Sequence, residues 1–452
     1  MKFIKTLLLK LGIDKTVFYT VFSRGWQGIT AFLTVGIIAF FLTSEEQGYY
    51  FTFSSLLAVQ VFVELGLSYV LQQFAGHEKA HLEWTKTGKL LGNEKAKERL
   101  ASLLKLTMKW YVVAALLILV FLLPIGYWFF SYNQSKNINS VVWRLPWLFL
   151  VITFSLQFIL TPILSILEGC GKIQNVAKVR LAQDSLGNFL LWIGFSCHFG
   201  LYAAPLLNLG RFIISASWLS TGWRKNFFSD ILTLLKSNIA NQVDWRKEIF
   251  PFQWKIAVSW LSGYFIFQLF NPVLFAYHGA KVAGQMGLTL TVTNGIVTIA
   301  MAWINTKIPK FCEFIVKENY KNLDNLFFTT LWQSLFAVLV FASSFISTVF
   351  FVQYKGYEVG ERFLPIIPLF FLFGNIIMNH VIFAMAVYLR AHKQEPLLLN
   401  SVVIAVLMSC STYFFGKFYG ALGVTSGYFA ITLVSLCWCL SLFFIKRREW
   451  HG

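Results

Sequence analysis

The chain has 452 residues, of which 57% are hydrophobic, 18% aromatic and only 13% charged. A soluble domain carries about a quarter charged residues, so this composition excludes an ordinary soluble protein and fits an integral membrane protein. Lys and Arg number 38 against 20 Asp and Glu, a net charge of +18, but the basic residues gather in short loops between apolar runs, so the excess reports membrane orientation and not a nucleic-acid partner.

The N-terminus, "MKFIKTLLLKLGIDK", is basic and amphipathic. It lacks the small-residue cleavage site of a secretory signal, so the mature chain is expected to start at Met1. A membrane span needs about 20 apolar residues. Twelve runs meet that length: 17-43, 50-74, 106-131, 145-168, 182-199, 201-221, 253-276, 286-306, 326-353, 364-389, 398-416 and 421-445. Only "HFGLYAAP" parts the fifth from the sixth. An even count puts both termini on one side. The loops on that side hold 28 Lys and Arg, the opposite loops 6, and Arg24, Lys109, Arg211 and Lys255 fall inside the spans. Both termini are therefore expected in the cytoplasm.

The longest hydrophilic pieces, 75-105 and 222-252, lie on the cytoplasmic side and carry amphipathic strings such as "FFSDILTLLKSNI", which predict helices at the membrane surface. The second piece divides the spans into six plus six. Sliding the halves by 236 residues lays Gly48 of "LTSEEQGYYFTFSSLL" onto Gly284 of "YHGAKVAGQMGLTLTV". Weak self-similarity of this kind marks an internally duplicated transporter. The expected fold class is an all-α integral membrane protein, with 12 transmembrane helices in two six-helix pseudo-repeated lobes. An N-terminal lobe would cover 1-221, a linker with an interfacial helix 222-252, a C-terminal lobe 253-445, and a cytoplasmic tail 446-452.

Enzyme chemistry finds little footing. "TKTGKL" and "CGKIQ" lack the upstream glycine of a phosphate-binding loop, and neither a zinc-protease HExxH nor a calcium-binding loop occurs. The six cysteines have no metal-ligand spacing, and most sit in or beside apolar runs, where a thiol behaves as a small hydrophobe. His77 and His81 are an i, i+4 pair that reads as part of a solvated loop. No catalytic residue, metal site or cofactor is expected.

What remains is polar groups inside spans, which in a membrane protein are functional candidates by default. Arg24, in "VFSRGWQGITAFLTVGIIAFFLT", lies about 10 Å inside its span at 1.5 Å per residue. Glu64, in "VQVFVELGLSYV", is placed at a similar depth. Arg211, in "LNLGRFIIS", is about 15 Å from the cytoplasmic end of the sixth span, and Lys255 opens the seventh. Two readings stand side by side. Either Arg24 and Glu64 form a structural ion pair while Lys255 snorkels to the headgroups, or Arg24, Arg211 and Lys255 line a cavity that receives an anionic headgroup. Glu64 is the candidate for coupling to H+ or Na+. Asn294, in "TLTVTNGIVTIA", is the candidate polar cavity residue, while Asn305, Asn375, Asn379 and His380 read as helix-helix hydrogen bonders, and Asp184 and Glu168 as interfacial residues.

Several strings resemble a known family. "LTSEEQGYYFTFSSLLAVQVFVELGLSYVLQQFA" resembles the first-hairpin signature of bacterial polysaccharide-export flippases, the O-antigen and capsule branch of the multidrug/oligosaccharidyl-lipid/polysaccharide exporter superfamily. "ILEGCGKIQNVAKVRLAQDSLGNFLLW", "IPKFCEFIVKENYKNLDNLF", "AVYLRAHKQEPLL" and "FYGALGVTSGYFAI" are similar to later loops of the same family, so the resemblance runs along nearly the whole chain. It departs at "LTSEEQG", where a Leu-Gly turn is usual, in a surface loop. The resemblance implies two six-helix lobes around a V-shaped cavity lined by spans one, two, seven and eight. It also implies an undecaprenyl-diphosphate-linked glycan as substrate, passed across the bacterial inner membrane, with polysaccharide assembly proteins as partners. The alternatives are a multidrug or cation antiporter of the same superfamily, a peptidoglycan lipid flippase, and a membrane polysaccharide polymerase or ligase, which would be expected to carry a longer external loop.

Overall fold

The computed structural model describes residues 15–133, 141–236, 241–392 and 394–451. It is almost wholly helical. Helix α1 spans Lys15–Phe41, and α2 spans Ser44–Leu57. Between them Thr43 caps α2 reciprocally: its hydroxyl accepts from the Glu46 amide at 3.1 Å, and the Glu46 carboxylate accepts from the Thr43 amide at 2.9 Å. A short 3-10 turn, Ala58–Gln60, leads to α3, Val61–Glu64, and α4, Leu67–Lys79. The chain breaks between α3 and α4 because Leu65 and Gly66 both adopt left-handed backbone, at φ 50° and 65°. The two flanking pieces are bent by 43°.

A two-stranded antiparallel hairpin follows, β1 Leu82–Trp84 and β2 Leu90–Gly92, within the hydrophilic piece 75-105. Then come α5 Glu94–Leu117, a π-helical turn Ile118–Leu122, and α6 Leu123–Asn133. Next are α7 Arg144–Gly169, α8 Ile173–Ser196 and α9 Ala203–Leu219. Helix α10, Trp223–Lys236, follows in the second long hydrophilic piece. Helices α11 Phe250–Phe267, α12 Phe270–Asn305, α13 Ile308–Val316, α14 Tyr320–Tyr354, α15 Ile366–Ala391 and α16 Leu398–His451 complete the order.

Among the described residues, six helical stretches are long and apolar enough to cross a membrane, and a seventh does so if the bent pair Ser44–Glu64 and Leu67–Lys79 is one span. The longest are not straight rods. A 54-residue helix would run about 80 Å, more than twice the hydrocarbon thickness. Helix α16 instead folds back at Gly420, whose φ is 61°. A methyl group at Gly427 would meet Ser411, and one at Gly423 would meet Phe415, so the two arms lie antiparallel. His278 holds this turn by donating from Nε2 to the Gly416 carbonyl at 2.7 Å. Helix α12 is interrupted in the same way at Gly279, φ 85°.

The described residues form two compact units. The first holds residues up to Ser23, Val59–Trp128 and Val142–Leu261; the second holds Arg24–Ala58, Phe129–Val141 and Ser262 onward. Within the first, α8 and α9 approach so closely that a Cβ at Gly210 would stand 2.9 Å from the Gly187 Cα. Within the second, Tyr49, Phe53, Phe130 and Phe275 make an edge-packed aromatic core, and all four are buried. Here too Gly48 meets Gly284: a Cβ on Gly284 would fall 2.8 Å from the Gly48 nitrogen.

Candidate functional site

Arg211 lies on α9 and Asp184 on α8, where the glycine contact brings the two backbones together. Arg211 Nη2 donates to Asp184 Oδ1 at 2.9 Å. Asp184 is 8% exposed, so its carboxylate is a buried counter-ion for the guanidinium. The guanidinium is not used up, because its Nε is buried without a hydrogen-bond partner. One turn further along α9, Ser215 donates to Gln157 of α7 at 3.2 Å and accepts from Gln183 of α8. A polar ladder thus crosses three apolar helices, with the charged rung at Arg211. Glu168 pairs instead with the half-exposed Arg180, at 2.8 Å.

Glu64 closes α3 at the helix break and is 8% exposed. Its Oε1 accepts from the Ser68 hydroxyl at 2.6 Å and from the Tyr111 hydroxyl at 3.4 Å, and Ser68 and Tyr111 are 3.0 Å apart. The break itself makes this group possible. Left-handed backbone at Leu65 and Gly66 ends α3 at Glu64 and restarts the helix so that Ser68 comes back over the carboxylate. Gly66 also lets Ile256 pack against the break, since a Cβ there would lie 2.5 Å from Ile256 Cγ2. Two hydroxyls thus hold a buried carboxylate at the helix break.

The second unit carries its own polar site. Asn294 and Thr293 on α12, Asn375 and Asn379 on α15, and Tyr428 on α16 line a cavity of about 250 Å³. Asn379 donates to the Tyr428 hydroxyl at 2.8 Å, and His380 and Ser334 bond at 2.8 Å; both act as the helix-to-helix ties that such residues suggest in sequence. Asn375 does not. It is 2% exposed, and neither its amide nitrogen nor its oxygen has a partner. Its spacing four residues before Asn379 was the signal available in the sequence for a shared face.

Arg24 lies on α1 and Lys255 on α11, but both side chains lie outside the described residues.

These features, long apolar helices broken at glycines and carrying buried polar groups, define a polytopic helical membrane protein. No family model matches the chain, and no curated protein matches its sequence. Solved structures do match. Lipid II flippase MurJ in an inward closed conformation superposes with a TM-score of 0.62, covering 95% of this chain and 87% of that one at 15% identity. A multidrug resistance MATE family transporter of the MOP superfamily matches in its outward-facing conformation at TM-score 0.59, with 97% of each chain covered and 14% identity. An inward-facing structure of such a transporter gives 0.57, over 93% of this chain and 99% of that one, again at 14% identity. At these identities the likeness is one of fold, and the fold is the one these transporters share.

Proposed function

We propose that this protein flips an undecaprenyl-diphosphate-linked oligosaccharide, an O-antigen, capsule or exopolysaccharide unit, from the inner to the outer leaflet of the bacterial cytoplasmic membrane. Alternating access carries the headgroup while the polyprenyl tail stays in lipid. The observation that carries the reading is Arg211, a guanidinium inside an apolar helix pair that gives one nitrogen to Asp184 and keeps Nε unbonded. A planar fork of donors fits a diphosphate, which can compete with the carboxylate for it. Arg24 and Lys255 are proposed to add positive charge for the same headgroup. The reading keeps twelve spans in two pseudo-repeated lobes and cytoplasmic termini, supported by the distribution of basic residues, by the reversal at Gly420 and by the helix break at Gly279. Contact between Gly48 and Gly284, the pair matched by the 236-residue shift, supports a duplicated chain, because equivalent residues meet where a pseudo-two-fold axis passes.

The test is flipping of a fluorescent undecaprenyl-diphosphate oligosaccharide in proteoliposomes by wild type, Arg24→Ala and Arg211→Lys at matched folded yield. Lysine keeps the charge and loses the fork, so transport falls at least tenfold with preserved fold if diphosphate is held by the guanidinium. Unchanged transport sinks the assignment.

A second reading, an ion-coupled multidrug or cation antiporter, is favoured by Glu64, a buried carboxylate held by two hydroxyls at a helix break. Glu64→Gln keeps the acceptor for Ser68 and removes the charge. On that reading the variant loses uptake driven by an imposed H+ or Na+ gradient, and wild type exports organic cations without any lipid-linked substrate.

A further inference from the structure

The amide-lined cavity of the second unit has no role in holding a diphosphate. None of its lining residues is charged: they are Thr293, Asn294, Asn375, Asn379 and Tyr428 with an apolar remainder that includes Phe267 and Phe383. A phosphate would find no cation there, and a metal ion no carboxylate. Yet the site is built for hydrogen bonding. Asn375 presents an amide donor and an amide acceptor side by side, both buried and both without a protein partner, which native proteins satisfy with a bound water, ion or ligand. It stands one turn from Asn379 on the same face of α15, and Asn294 on α12 lines the same cavity.

We propose that this cavity binds an uncharged sugar ring, with the Asn375 amide reading a neighbouring donor and acceptor, such as a vicinal diol or an acetamido group. A sugar ring has hydroxyls on its edge and an apolar C–H face. The cavity matches both, with amides from two helices and phenylalanines from two. Its volume of about 250 Å³ takes one ring and not a longer oligosaccharide. The inference rests on the proposed glycan substrate and adds to it: the diphosphate is held by the cations, whereas this pocket selects one sugar of the repeat unit.

The experiment uses the full-length protein in detergent, with glucose, N-acetylglucosamine and inorganic pyrophosphate as probes, read by saturation-transfer NMR. Wild type is expected to bind at least one neutral sugar, and Asn375→Leu to weaken it at least tenfold while pyrophosphate binding stays unchanged. Leucine shares the branched outline of asparagine and removes two unpartnered polar atoms, while its bulkier methyls project toward the cavity, so the variant is checked for folding by its melting temperature before binding is compared. If it does not fold, Asn294→Leu, on the exposed wall of the cavity, must show the same loss. No sugar binding by wild type, or sugar binding unchanged in the folded variant, overturns the proposal. Proteoliposome flipping separates this from the broader reading. Flipping of the lipid-linked glycan with no Asn-dependent sugar binding overturns the pocket alone, whereas Asn-dependent sugar binding without flipping overturns the flippase reading and leaves the pocket.

Discussion

The Arg211–Asp184 pair allows its structural and functional roles to be separated. At 2.9 Å and an effective dielectric of about 20, the gross attraction is about 6 kcal/mol. Desolvation of two ions cancels most of that, so the pair is close to neutral compared with apolar residues of similar volume. Removing one partner is different, because the other charge is left inside the bundle. Breaking a buried pair typically costs about 3–5 kcal/mol. The Asp184 side chain is 11% exposed but Arg211 is 34% exposed, so partial screening lowers the expected cost to about 2–3 kcal/mol for either Asp184→Leu or Arg211→Met. The double variant Asp184→Leu with Arg211→Met should return to within about 1 kcal/mol of wild type, because leucine and methionine fill the space and leave no charge. Reversible unfolding in mixed detergent measures all four corners of this cycle. Flipping assays on the same four proteins then divide the roles: the double variant is stable and inactive if Arg211 meets the substrate. Additive losses in the double variant would refute the electrostatic argument, and full activity in it would refute the substrate role.

Two further outcomes follow from the second unit. Gly48→Ala places a Cβ 2.0 Å from the Ala280 carbonyl oxygen, a backbone atom that cannot swing aside, so the helices must part at a cost of about 1–3 kcal/mol. Gly36→Ala, with nothing within 4 Å, should be neutral or slightly stabilising, and equal melting of the two variants in detergent would contradict the close-contact account. Lys281 holds the Glu361 carboxyl below its ordinary range, chiefly by a hydrogen bond of 2.7 Å. A lowered folded value means that the pair contributes at pH above the ordinary carboxylate range and is lost as pH falls through the folded value. Carbodiimide labelling of Glu361 against pH should therefore shift upward in Lys281→Ala, and an unmoved profile would remove the pair from the account.

The sequence was most legible where a periodic or compositional cause acts over many residues. Apolar runs placed the helices, and the weak 236-residue self-match picked out Gly48 and Gly284, which touch. Local breaks were harder to see. Glu64 was visible as a carboxylate in an apolar run, but its setting depends on Leu65 adopting φ 50°, a conformation that leucine rarely takes and that no local pattern announces. The partner of Asp184 is hidden for a related reason. Its neighbours Lys172, Lys178 and Arg180 in sequence draw attention to the adjoining loop, whereas α8 turns the carboxylate toward Arg211, 27 residues away. Partners so distant in sequence cannot be paired from spacing alone.

The candidate sites of the two units differ in the kind of polarity they carry, and on the proposed reading this bears on the substrate. In the first, the intramembrane polar groups include ions with a counter-ion or hydroxyl neighbours: Arg211 with Asp184, and Glu64 with Ser68 and Tyr111. In the second, the cavity-lining groups are neutral amides and hydroxyls. A multidrug cation would need negative charge in its path and little else. A diphosphate bearing sugars presents two unlike chemistries at once, and on the proposed reading one is for Arg211 and the other for the neutral cavity. On the proposed reading the charged groups hold what every lipid-linked substrate has in common, while the neutral cavity senses what differs between glycans. Loss of Arg211 should then abolish transport of all such lipids equally, and loss of Asn375 should change which of them is moved.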